Sequence, residues 1–105
     1  MNIDQIAVSI IAFAGDSQSY SKQAIEYARN GNYEKCNKCI KSAKKSMLDA
    51  HQVHTQLLSE SAANEIEVNF LLVHASNHLS VAETMLMMAE LFIEILREER
   101  GGKKC

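Results

Sequence analysis

All four histidines of the chain fall in two close pairs, His51 with His54 and His74 with His78. On a helix, a spacing of four sets both imidazoles of the second pair along one face, and a spacing of three does nearly the same for the first. Imidazole supports two kinds of chemistry in such a setting. Neutral rings from facing helices of a bundle can ligate a metal such as zinc. A ring that titrates near neutral pH can instead attack a phosphoryl group through a nitrogen lone pair and later release it. Ala75 follows His74, so His-x-x-x-His lacks the glutamate base of the helical zinc-protease motif. A third reading, histidines that serve packing or solvation only, stands beside these two. A reactive ring must be reached by two successive partners. His78 falls on an apolar seam and His74 beside it, which makes His74 the stronger nucleophile candidate.

Cys36 and Cys39 form a single Cys-x-x-Cys inside an amphipathic stretch, and Cys105 ends the sequence. One such pair with neither a βαβ pattern nor a second pair is a weak signal for zinc or redox chemistry. Both are read as structural, and the odd count of three argues against a disulfide framework.

The elements that must carry these residues read as helices. The chain has 105 residues, 47% hydrophobic, with no proline or tryptophan and only four glycines, too little turn chemistry for a fold of many short strands. A single domain over residues 1–105 is expected. The first helix is predicted from about Ile3 to Asn30, stopped by Gly31, with Asn32 to cap the next. The second is predicted from Tyr33 to Ser59 on the seam Tyr33, Cys36, Ile40, Ala43, Met47, Ala50, His54 and Leu57, whose steps alternate three and four. Glu34, Lys38, Lys41, Lys45 and Asp49 lie opposite and read as a solvated face.

The polar stretch Ser59 to Glu65 is read as a connection, and Asn64 with Glu67 as a capping box opening the third helix, which runs to about Arg100. That helix carries two apolar stripes. Leu71, Ala75, His78, Ala82, Met85, Ala89, Phe92 and Leu96 are read as its main seam, and Leu72, Leu79, Leu86 and Ile93 repeat every seven residues beside it. Two stripes need two neighbours, so self-association through the third helix is expected. The predicted architecture is all-α, an antiparallel three-helix bundle.

Eleven basic residues against thirteen acidic ones leave a net charge of −2, with no surplus to neutralise nucleic acid. The apolar run Ile6 to Ala14 is too short to cross a bilayer and is preceded by Asp4 where a secretory signal needs positive charge. A cytoplasmic protein without membrane insertion is expected.

Val73-His74-Ala75-Ser76-Asn77-His78-Leu79 resembles the His-Ala-Gln-Asp-His-Leu-Met motif of enzyme IIA components of the lactose/cellobiose class of the sugar phosphotransferase system. Ala14-Gly15-Asp16-Ser17-Gln18-Ser19 is similar to that family's Ala-Gly-Asp-Ala-Arg-Ser. Ala50-His51-Gln52-Val53-His54-Thr55-Gln56-Leu57 resembles its Ala-His-x-x-Gln-Thr-x-Leu. Gly31-Asn32-Tyr33 matches its Gly-Asp-Phe turn, and the segments come in the family's order over nearly the whole chain.

The resemblance implies a homotrimer with a coiled-coil-like core of third helices around the symmetry axis. It implies phosphorylation of the first motif histidine on Nε2, which maps onto His74, with His78 one turn away as a supporting residue. The implied donor is the phosphocarrier protein HPr and the implied acceptor a cysteine of the cognate IIB component. The sugar, of the lactose, cellobiose or chitobiose class, then enters through IIC. Two positions depart beside the reactive histidine, Ser76 for the family's Gln and Asn77 for its Asp. In the family that Asp meets its symmetry mates at the axis around a divalent cation, so Asn77 removes the implied metal ligand and no cofactor is expected. His54 stands where the family commonly has Gln. The competing readings are a histidine-rich metal-binding bundle and a structural helical oligomer.

Overall fold

The computed structural model describes residues 2–63 and 69–100, which form three helices: α1 (Ile3–Arg29), α2 (Tyr33–Ala63) and α3 (Phe70–Arg100). Each begins at an asparagine whose side-chain oxygen accepts an otherwise unpaired backbone N–H. Asn2 accepts from Gln5 at 3.1 Å, Asn32 from Lys35 at 3.2 Å and Asn69 from Leu72 at 2.9 Å. Gly31 ends α1 with φ +78°, the left-handed conformation that a side chain disfavours. A Cβ there would also lie 3.1 Å from the Arg100 guanidinium, which donates to the Arg29 carbonyl at 2.6 Å and so ties the end of α3 to the first turn.

The core is built on small residues. Ala7, Ile10, Ala14, Ser17, Ser21, Ala24 and Ala28 are the buried residues of α1, again in steps of three and four, and all but one are alanine or serine. So narrow a stripe lets neighbouring helices come close, and the Ser17 hydroxyl donates to the Ala43 carbonyl of α2 at 3.0 Å. α1 packs against both other helices, whereas α2 and α3 touch each other much less. They are linked along their length by polar pairs: Arg97 with Asn37, Lys44 with Glu90 at 3.1 Å and His51 with Glu83 at 3.4 Å. The order of these pairs shows α2 antiparallel to α3.

On α2 the expected seam holds. Cys36, Ala43, Met47, Ala50 and Leu57 are buried, with Tyr33, Ile40 and His54 at its margins. The helix runs past the expected stop at Ser59, through Ala63. Its polar Ser59-Glu60-Ser61 turn is a solvated helical end rather than a loop, and the alanines that follow favour helix. The predicted Asn64–Glu67 capping box lies outside the described residues; α3 starts at Phe70 with Asn69 as its cap.

On α3 the stripes exchange roles. The buried seam is Leu72, Ala75, Leu79, Ala82, Leu86, Ala89 and Ile93, so the heptad read as the secondary stripe faces the chain's own core. Of the seam read as primary, its alanines are buried, but His78 and Met85 are only half-buried and Phe92 is exposed. The cause is α1. Its alanine and serine stripe accepts a row of alternating leucine and alanine, and that fit sets the rotation of α3 about its own axis. A second, outward seam then stands free of the other described residues: Phe70, His74, Asn77, Val81, Thr84, Met88, Leu91 and Ile95 alternate steps of four and three, and every one is exposed.

Candidate active site

His74 lies in the second turn of α3 on the outward seam, and its side chain is exposed. It is held between two rings of its own helix, each one turn away. Phe70 stacks nearly parallel to it, with centroids 6.4 Å apart and planes at 9°, and His78 meets it edge-on at 4.6 Å and 84°. The Nε2 atoms of the two histidines are 3.2 Å apart. At that distance one Nε2 carries a hydrogen and the other presents its lone pair. With His78 as donor, His74 takes the tautomer protonated at Nδ1 and its Nε2 carries the free lone pair. The same His78 N–H then lies beside any group that Nε2 acquires.

The spacing of four forces this meeting, because residues i and i+4 stack along one face of a helix. The phenylalanine four residues earlier extends the column by the same rule, and Phe70 is a member of the site that motif reading passed over. His51 and His54 do not join it. His51 pairs with Glu83 across the gap between α2 and α3, and His54 is half-buried on the inner seam of α2. Among the described residues no three His, Cys, Asp or Glu side chains converge to hold a metal ion, so the four-imidazole centre is not assembled within the chain.

Asn77 is exposed on the outward seam one turn beyond His74, and Ser76 is exposed beside it. Cys36 is buried and Cys39 half-buried, both as free thiols. Burial pushes the Cys36 thiol up, against the pull of the Arg97 guanidinium, which also stacks over the Tyr33 ring at 4.6 Å. A buried thiol held in its neutral form is a packing group.

The geometry has close counterparts. Residues 5–97 match the family described as the PTS system, Lactose/Cellobiose specific IIA subunit. The chain is 34% identical over 104 residues to the lichenan-specific phosphotransferase enzyme IIA component of Bacillus subtilis (strain 168), covering 95% of this chain and 94% of that one. It is 33% identical over 89 residues to the PTS system lactose-specific EIIA component of Lacticaseibacillus casei, covering 84% of this chain and 78% of the relative. The crystal structure of the PTS cellobiose-specific enzyme IIA from Bacillus anthracis superposes with a TM-score of 0.90 at 28% identity, over 98% of this chain and 96% of that one. The chain belongs to the lactose/cellobiose-specific IIA family of the phosphotransferase system and is a phosphotransferase component. No helix among the described residues is long and apolar enough to cross a membrane.

Proposed function

We propose that the protein is a cytoplasmic phosphoryl carrier that accepts phosphate from phospho-HPr on Nε2 of His74 and passes it to a cysteine of the cognate IIB component. The transfer serves uptake of a β-linked disaccharide of the lactose, cellobiose or chitobiose class through IIC. The observation that carries this reading is the exposed His74 ring with its Nε2 facing that of His78 at 3.2 Å. In the forward step the Nε2 lone pair attacks phosphorus as the donor's P–N bond breaks, and Nδ1 keeps its proton. In the second step the IIB sulfur attacks in line and Nε2 leaves with the bonding pair. Such transfers depend on positioning and local charge more than on covalent assistance. His78 holds the ring by donating to the Nε2 lone pair before transfer; that hydrogen bond breaks as the lone pair attacks, and the freed His78 N–H then donates to a phosphoryl oxygen.

The working unit in this reading is a homotrimer joined by the outward seams of three α3 helices. Val81, Met88, Leu91 and Ile95 are 45–55% exposed in the single chain and Phe70 is 86% exposed, a heptad-spaced apolar row that the described residues leave uncovered. His74 lies on that row, so a neighbouring subunit would form part of the site's wall.

Incubation with phosphoenolpyruvate, enzyme I and HPr tests the proposal. An acid-labile phosphoryl group is expected on the wild type and none on His74→Ala. Equal labelling of the two proteins, or none of either, would refute it.

A further inference from the structure

Asn77 occupies one layer of the outward seam, between His74 and Val81. In the trimer proposed above, on which this inference rests, a side chain of that seam meets its two symmetry mates near the axis. The family resemblance implies a divalent cation shared by three carboxylates there. Hard cations such as Mg²⁺ and Ca²⁺ take oxygen ligands and gain affinity from carboxylate charge. Three Asn77 amides offer only neutral oxygens, and the next two layers, Val81 and Thr84, add no charge. The first carboxylate along α3 is Glu83, six residues and about 9 Å of helix rise away. It is turned toward α2, 3.4 Å from His51. In the unphosphorylated protein a dication at the Asn77 layer, between His74 and Val81, would give up water with no negative side chain of the seam to balance it. The donor set does not fit the metal.

It does fit itself. Each amide carries N–H donors and a carbonyl acceptor, so three of them around an axis can close a ring in which every side chain donates once and accepts once. Three carboxylates in the same place would repel one another unless a cation or protons neutralised them. A lone polar layer in an apolar seam also fixes its register.

We propose that the trimer axis is closed by a ring of neutral Asn77 amides, takes no Mg²⁺ or Ca²⁺, and holds together without either ion. Sedimentation equilibrium of the full chain, as wild type and as Asn77→Asp, in EDTA and then with Mg²⁺ or Ca²⁺ added, tests this. The wild-type trimerisation constant is expected to change by less than about twofold between these conditions, whereas Asn77→Asp weakens in EDTA and recovers by at least about tenfold with either cation. Circular dichroism should show both proteins equally helical, because Asn77 is exposed in the single chain. A wild-type trimer that dissociates in EDTA, or an Asn77→Asp trimer indifferent to both additions, would overturn the inference. A wild type that sediments as a monomer in every condition would overturn the trimer itself and this inference with it, while leaving the labelling of His74 to be judged separately.

Discussion

The Nε2 atoms of His74 and His78 lie 3.2 Å apart, and in the proposed transfer the direction of the hydrogen bond between them decides which ring presents a lone pair to phosphorus. In the proposed transfer, with His78 as donor, its removal would cost the orientation of His74 and a charge-assisted hydrogen bond to the phosphoryl oxygens. Such bonds are worth about 1.5–3 kcal/mol, so His78→Ala is expected to slow phosphorylation of His74 roughly ten- to hundredfold in rapid-quench assays. His78→Gln, which keeps an N–H donor, should recover part of that loss, whereas a purely structural histidine would show no such ordering. The two histidines and their spacing were legible in the sequence. The stacking of Phe70 and the pairing of His51 with Glu83 were not, because the first falls outside the recognisable motif and the second joins residues 32 positions apart on different helices.

α3 is the element on which the expectation and the structure differ most. Its spacing announced two apolar stripes, yet the stripe with Leu72, Leu79 and Leu86 turned out to be the inner one. The inner face is packed against small residues with little room for more volume. Ala82 is fully buried between leucine layers, and enlarging it to leucine should force the helices apart at a cost of about 1–3 kcal/mol. Thermal unfolding of Ala82→Leu, followed by circular dichroism, should then fall by roughly 4–8 °C for each kcal/mol lost. Both ends of α1 and the Arg100 end of α3 fall where the sequence reading put them, since Gly31 acts locally, whereas Asn69 as the cap of α3 was not foreseen. The extension of α2 to Ala63 was not, because a polar sequence can be either a loop or the solvated end of a helix, and composition alone does not choose.

The whole molecule is an elongated bundle, 58 × 22 × 19 Å, in which one helix shows a full heptad seam to solvent. Of the twelve exposed large hydrophobic residues among those described, eight belong to α3: Phe70, Val73, Val81, Met87, Met88, Leu91, Phe92 and Ile95. Leu91→Lys should therefore leave the fold of the single chain intact and abolish assembly. In the proposed trimer the lost burial would amount to about 1.5–3 kcal/mol per chain, which over three chains would weaken assembly by roughly a thousandfold or more. Sedimentation equilibrium reads this directly, and a mutant that assembles like the wild type would place the partner on another face.

The sequence by itself determined three helices, the Gly31 turn with its Asn32 cap, the inner seam of α2, and the one-turn spacing that brings His74 against His78. All of these follow from rules that act within about seven residues. Only the tertiary structure decided which stripe of α3 is buried and which is left exposed. Spacing says which residues share a face, but both stripes are apolar, and neither hydrophobicity nor period distinguishes them. The choice was made by the fit of leucine and alanine layers into the narrow stripe of α1, a complementarity between the first and last helices of the chain. That same rotation of α3 turned His74 and Asn77 outward.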